Sequence, residues 1–101
     1  MAEIVWLDPA LDDLEEIVEF ISLDNADAAE NFATRVFGHV ELLARHPKLG
    51  PVVPELPDRG YRQIIEPPCR IIYKIQRRKV FIVHVMRSER ILRVGRLEDD
   101  E

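Results

Sequence analysis

The sequence lacks the features that mark several large classes of protein. Among its 101 residues there is one cysteine, Cys69, so an internal disulfide and a cysteine-based zinc site are excluded. It contains no run of about 18 apolar residues, and its N-terminus has no basic stretch followed by a hydrophobic one. We therefore expect neither a membrane span nor a signal peptide, and we expect the protein to be cytoplasmic.

Common catalytic motifs are also missing. The sequence has no Walker loop, dinucleotide fingerprint, metalloprotease helix, serine-nucleophile elbow or CxxC pair. His39 and His46 lie seven residues apart, but no cysteine or third histidine is spaced to complete a metal site with them. No metal and no cofactor are therefore expected, and Cys69 is interpreted as a small strand residue.

Basic residues are absent from the first third of the chain. Residues 1–34 carry ten acidic side chains and no basic one, whereas residues 35–97 carry all fourteen basic side chains against five acidic ones. The last four residues are acidic, so the net charge of −5 conceals a dipolar chain. This asymmetry indicates a charged partner, and the alternative interpretation is that the charges lie on solvated faces.

The first half of the sequence predicts a strand and two helices. Its length and its 47% hydrophobic content are those of one globular domain, spanning residues 1–101. A β-branched and aromatic run at residues 4–7 predicts a strand, and Asp8 is predicted to cap the helix that follows. Apolar residues at helical spacing continue to Ile21, and a second amphipathic helix begins after a polar break and ends near His46.

The second half predicts a sheet. Residues 47–60 contain four prolines and two glycines and are predicted to form a loop. Strand-like runs follow at residues 61–65, 70–76 and 80–86, joined by hairpin-length links, and the last of them is predicted to be central, with the first strand of the chain beside it. The predicted fold is α+β, with the order β-α-α-β-β-β, in which a helical hairpin packs on one face of a small, mainly antiparallel twisted sheet.

The other face of this sheet is predicted to be open and basic. Strand alternation places Arg70 and Lys74 on it, and the segment after the last strand can bring Arg87 and Arg90 to the same side. Such a groove suits either nucleic acid or an acidic protein segment. No aromatic residue follows Phe81, so the stacking platforms of a single-stranded RNA binder are missing from this region.

The order of the elements and several short motifs resemble the RelE/ParE superfamily of bacterial toxin–antitoxin systems, over nearly the whole chain. The motifs that carry the resemblance are the turn His46-Pro47-Lys48-Leu49-Gly50, the strand start Tyr61-Arg62, the stretch Arg70-Ile71-Ile72-Tyr73-Lys74-Ile75, and the ending Val83-His84-Val85-Met86-Arg87-Ser88-Glu89-Arg90. The resemblance implies a toxin that causes growth arrest and is neutralised in a hetero-oligomeric complex by an antitoxin whose C-terminal segment folds as it binds.

The superfamily contains two mechanisms. One branch resembles a ribosome-dependent mRNA endonuclease, with basic sheet residues and a late tyrosine or histidine that activates the ribose hydroxyl. The ParE-like branch, which includes plasmid stabilisation proteins, is similar to a non-enzymatic inhibitor of DNA gyrase. Arg87 stands where many relatives have histidine, and arginine is unsuited to proton transfer near neutral pH. Together with the acidic pI of about 5.2, this favours the gyrase inhibitor.

The resemblance also implies which residues meet a partner. No catalytic residue is assigned. The predicted basic face for the antitoxin or the target consists of Arg62, Arg70, Lys74, His84, Arg87 and Arg90. The alternatives that the sequence leaves open are an endoribonuclease, for which direct contact with nucleic acid would be needed, and a module that binds its antitoxin without being toxic.

Overall fold

The helices and strands follow one another in the predicted order in a computed structural model that describes residues 1–93, 95 and 97. They are β1 (Glu3–Trp6), α1 (Asp8–Ser22), α2 (Ala26–Glu41), β2 (Tyr61–Glu66), β3 (Cys69–Gln76) and β4 (Lys79–Arg87). The second helix is predicted to end near His46, and its α-helical part ends earlier, at Glu41. After Glu41 the backbone tightens into one 3₁₀ turn, Leu42–Ala44, as helix ends often do.

The four strands form one sheet in the order β1-β4-β3-β2. Both β2 with β3 and β3 with β4 pair antiparallel, whereas β1 lies parallel to β4. The predicted helical hairpin on a small, mainly antiparallel sheet is therefore confirmed, as is the central place of β4. The register shifts between Ile72 and Tyr73, which marks a β-bulge in the β3–β4 pair.

The two helices begin differently. Asn25 caps α2, because its side-chain oxygen accepts a hydrogen bond of 3.0 Å from the backbone N–H of Ala28. Asp8 does not cap α1, contrary to the prediction. Leu7 occupies the N-cap position without a side-chain hydrogen bond, and Asp8 is the first helical residue. Within the described part of the chain, no helix is long and apolar enough to cross a membrane.

The helical hairpin and the sheet enclose the larger of two apolar clusters, here called the helix-side core. Its fully buried members include Phe32, Val36 and Leu43 from the helical half, and Ile71, Tyr73 and Ile82 from the sheet. The acidic residues of α1 lie on the opposite face of the helix, and all but Asp13 are exposed. This arrangement satisfies the amphipathic pattern, since the apolar stripe is buried and the charges remain hydrated.

The second face of the sheet is covered, so the prediction of an open face is wrong. A second cluster, the loop-side core, packs there. Its members are Val53, Leu56, Tyr61, Ile72, Val83, Met86, Leu92 and Leu97. Val53 and Leu56 come from the proline-rich loop, and Leu92 and Leu97 come from the segment after β4. Both segments therefore bury apolar side chains on the face that was expected to display arginine and lysine.

Candidate functional site

The residues of the predicted basic face lie on both sides of the sheet. Residues directly opposite each other on antiparallel strands share a face. Arg62 lies opposite Tyr73, and Arg87 lies opposite Cys69, so both arginines belong to the side of the helix-side core. Arg70 alternates with that set and lies on the loop-side face. The prediction of one shared basic surface is therefore wrong.

Arg70 is buried in a polar network rather than displayed, with 4% of its surface exposed. Its guanidinium donates to both carboxylate oxygens of Glu55, to the side-chain oxygen of Gln63 at 2.8 Å, and to the backbone oxygen of Arg90 at 2.6 Å. Glu55 in turn accepts the backbone N–H of Leu92 at 2.9 Å. These residues, called the Arg70 network below, attach the loop and the terminal segment to the sheet.

The electrostatics of Glu55 follow from this network. Hydrogen bonds from Arg70 lower the pKa of the Glu55 carboxyl from 4.5 to about 2, with a smaller contribution from the N–H of Leu92, while burial acts in the opposite direction. The carboxylate is therefore charged at neutral pH and compensates the buried guanidinium. Because Arg70 and Glu55 form a hydrogen-bonded ion pair, their charges can be buried on the loop-side face of the sheet.

Arg62 also has a structural partner. It donates a hydrogen bond of 2.7 Å to the backbone oxygen of Gly50, in the turn before the proline-rich part of the loop. Tyr73 secures the same turn, because its hydroxyl donates to the Pro47 oxygen at 2.7 Å and accepts the Gly50 N–H at 3.0 Å. Burial raises the pKa of the Tyr73 phenol. These contacts hold the turn at residues 46–50 against β2 and β3.

The side chains of Lys74 and Cys69 also pack within the protein. The ammonium of Lys74 lies 5.1 Å from the ring centroid of Tyr61, which is a cation–π geometry, and the side chain is half-buried. Cys69 is fully buried at the start of β3, which confirms its interpretation as a small strand residue. Burial raises the pKa of its thiol, so the thiolate needed for nucleophilic attack is disfavoured.

His84 pairs with a residue from the far end of the chain. Its Nδ1 lies 2.5 Å from a carboxylate oxygen of Asp13 on α1, and the same oxygen accepts the backbone N–H of Val85 at 3.2 Å. β1 ends opposite Ile82, so no strand of the described chain accompanies β4 beyond that residue on this edge. Asp13 therefore satisfies a backbone donor that a neighbouring strand would otherwise bind.

A groove of about 660 Å³ lies beside this uncovered edge of β4. Its residues come from α1, from the end of β4 and from the segment that follows. They are Asp13, Glu16, Ile17, Phe20, His84, Val85, Met86, Arg87, Arg90, Ile91, Leu92 and Arg93. The guanidinium of Arg87 lies 5.3 Å from the ring centroid of Phe20, which joins the α1 side to β4.

The groove unites three of the predicted residues, namely His84, Arg87 and Arg90, and leaves Arg62, Arg70 and Lys74 outside it. Sequence reasoning missed the α1 side entirely. One signal was present there, because Phe20 falls outside the apolar stripe of α1 and is 61% exposed. A large aromatic residue on a polar helix face is a feature of interaction surfaces. Among the described residues, no group of three or more metal-ligating side chains converges.

The fold of this chain is also found in a solved structure. A solved structure of the chromosomal ParDE toxin–antitoxin system from P. aeruginosa matches with a TM-score of 0.74, covering 88% of this chain and 98% of that chain. The two sequences are 20% identical, so this similarity establishes the fold. No curated protein matches the chain.

Residues 4–92 match the family model described as ParE toxin of type II toxin–antitoxin system, parDE. The match begins in β1, ends after β4 and so includes both helices and all of the sheet except Glu3. The chain belongs to the ParE toxin family of type II toxin–antitoxin systems.

Proposed function

We propose that this protein is a toxin that inhibits DNA gyrase in the cytoplasm and is held inactive in a complex with its cognate antitoxin. The family match over residues 4–92 carries this proposal, because gyrase inhibition is the activity that the ParE-like branch implies. A non-enzymatic inhibitor acts through contacts with its target. It therefore needs a formed surface rather than a set of acid–base groups.

The contacts of Arg62 and Arg70 weigh against the nuclease, because they remove two of the predicted cations from the groove. Cations accelerate the cleavage of a phosphodiester by stabilising the charge of its transition state. Here Arg70 is paired with Glu55, and Arg62 is bonded to the turn at Gly50, on the other face of the sheet. Neither guanidinium is available to a phosphate in the groove.

One observation favours the endoribonuclease as a second candidate. Among the groove residues, His84 is the histidine, and its contact with Asp13 is the kind of pairing that orients a general base. Arg87 and Arg90 line the same groove. Only the endoribonuclease would cleave messenger RNA, so the two candidate functions can be distinguished in cells.

Induced expression is expected to arrest growth, and coexpression of the protein encoded by the adjoining reading frame is expected to restore it. Mapping of mRNA ends during arrest should then give the same full-length messages as in uninduced cells, because a gyrase inhibitor cuts no RNA. New ends within translated codons would instead support the endoribonuclease. Normal growth with folded protein accumulating would indicate an antitoxin-binding module without toxicity.

A further inference from the structure

Exposed cations from two separate segments lie at one end of the sheet. The link between β3 and β4, together with the first residue of β4, contributes Arg77, Arg78 and Lys79. The segment that follows the 3₁₀ turn contributes Arg45 and Lys48. All five residues are exposed, and they are called the turn-end cations below. None of them lines the groove beside β4, which lies at the other end of that strand.

Backbone hydrogen bonds at the start of β1 bring the two segments together. The Ala2 N–H donates to the Ala44 oxygen at 2.8 Å, and the Glu3 N–H donates to the Arg78 oxygen at 2.9 Å. The two segments therefore flank the same pair of residues, and their backbones lie about 10 Å apart, which is two strand spacings. One extended partner can contact both of them.

A groove borders the same cations on the helix side of the sheet. Its volume is about 580 Å³, and it is lined by His46, Pro47, Lys48, Leu49 and Ile75. Ile75 stands two residues before the turn at Arg77. None of these lining residues is a phenylalanine, tyrosine or tryptophan. The groove therefore offers neither the aromatic anchor of a protein-binding hot spot nor a stacking platform for a single strand.

The charge at this end is positive, although the net charge of the chain is −5. Glu3 lies opposite Lys79 in the β1–β4 register, and Glu41 precedes Arg45 by one helical turn. Even with both carboxylates counted, the turn-end cations leave an excess of three positive charges. A polyanion is therefore attracted to this end, whereas the exposed acids of α1 repel it from the helical side.

Arg77 has a backbone conformation that arginine adopts only at a cost. Its φ is +60°, in the left-handed region, where the Cβ atom crowds the backbone. Tight hairpin turns usually place glycine or asparagine at such a position. The sequence instead has the first of three consecutive cations there. Local strain of this kind is found at positions that serve binding.

We propose that the turn-end cations bind the phosphate backbone of double-stranded DNA, with the β3–β4 turn and the segment from Arg45 to Lys48 on the same duplex. Arginine and lysine donate charge-assisted hydrogen bonds to phosphate oxygens, and such contacts do not depend on the base sequence. The choice of duplex DNA rests on the proposed function, because duplex DNA is what gyrase holds. The inference adds a direct contact between the toxin and that DNA.

The experiment measures the fluorescence anisotropy of a labelled duplex of about 30 base pairs as folded, antitoxin-free toxin is added. At about 50 mM salt the wild type is expected to bind with a Kd on the order of 10 µM. Arg78→Glu should weaken binding about tenfold and Lys48→Glu about fivefold. The matched control, Arg35→Glu, reverses an exposed arginine that pairs with Glu66 at the other end of the sheet, and should stay within about twofold.

The salt dependence of binding gives a second measurement. Five cations that displace counterions predict a slope of about −4 for the logarithm of the association constant against the logarithm of salt concentration. Arg78→Glu should reduce the size of this slope by about 1, and Arg35→Glu should leave it unchanged. Equal slopes for the wild type and Arg78→Glu would overturn the inference.

Arg77→Gly separates binding from folding. Glycine adopts the left-handed conformation without strain, so the melting temperature should rise by about 3 °C. Loss of the cation should weaken DNA binding about threefold at the same time. A cation that served the turn alone would give the rise in melting temperature without the loss of affinity, and this outcome would overturn the inference.

Parallel assays of gyrase inhibition separate this inference from the proposed function. If the wild type inhibits gyrase but binds the duplex no better than Arg78→Glu does, the inference is overturned while the proposed function stands. If it binds the duplex as expected but leaves gyrase active, the proposed function is overturned while the contact with DNA stands. Tighter binding to single-stranded DNA or to double-stranded RNA of the same length would assign the surface to another polyanion and overturn the inference.

Discussion

Replacing Arg70 with methionine is expected to lower the free energy of unfolding by about 3 kcal/mol, and hence the melting temperature by about 15 °C. The substitution leaves the Glu55 carboxylate partly buried without its cation, and it removes the donor that bonds the Arg90 oxygen. The loop and the terminal segment then lose the same anchor. Denaturant unfolding followed by circular dichroism measures the change.

Two comparisons make this result specific. Arg78→Met removes an exposed arginine and should alter the free energy of unfolding by no more than about 0.5 kcal/mol.

The dependence of the free energy of unfolding on pH provides a second measurement. Because the Glu55 pKa is lowered from 4.5 to about 2, its contribution is fully present above pH 4.5 and is lost as the pH falls towards 2.

This acid-labile contribution is about 3 kcal/mol, and it should shrink in Arg70→Met because the main cause of the lowered pKa is gone. Other carboxylates titrate equally in both proteins and cancel in the difference. If the wild type and Arg70→Met have the same free energy of unfolding and the same dependence of it on pH, the Arg70 network does not hold the terminal segment.

Gly50→Ala is expected to destabilise the fold by about 3 kcal/mol, since a methyl group there has no space. A Cβ atom at position 50 would lie 2.1 Å from the backbone oxygen of Gln63. The turn would have to move away from β2, which would break the hydrogen bonds that Gly50 makes with Tyr73 and Arg62. Thermal unfolding measures the loss.

Gly38→Ala provides the opposite control. Gly38 is exposed within α2, and a Cβ atom there would have no neighbour within 4 Å. Alanine has the higher helix propensity, so this variant should gain about 0.8 kcal/mol. If both alanine variants shift stability in the same direction, the close approach of the turn to β2 is not what fixes the residue at position 50.

The sequence predicts the architecture because its signals are local. The apolar spacing of both helices, the prolines of the loop and the alternation in β3 each depend on neighbouring residues. Alternation correctly assigns Arg70 and Lys74 to the same face, opposite the helical hairpin. The family resemblance depends on the order of these same elements, and it is confirmed by the match over residues 4–92.

The error about the basic face arose from contacts between distant residues. Glu55 precedes Arg70 by 15 positions and lies in a loop without periodicity. No pattern in the sequence therefore predicts that this loop covers the sheet. Asp13 and His84 are 71 positions apart. Cross-strand register, which determines that Arg62 and Arg87 share the helix side, also depends on a bulge that the sequence does not signal.

The structure shows where the acidic and the basic parts of the chain lie. Most of the acidic first block is exposed on α1 and the start of α2, whereas Arg70 of the basic block is buried and paired with Glu55. The remaining arginines at the end of β4 face the α1 carboxylates across the groove. A surface with both signs of charge suits a protein partner better than a polyanion.

Gyrase inhibition can be tested in a supercoiling assay with purified gyrase and toxin that is folded and free of antitoxin. For a gyrase inhibitor, supercoiling is expected to fall and cleaved DNA to accumulate as toxin is added, and the protein from the adjoining reading frame is expected to reverse both effects. Undiminished supercoiling without accumulation of cleaved DNA, at toxin concentrations that arrest growth in cells, would contradict gyrase inhibition.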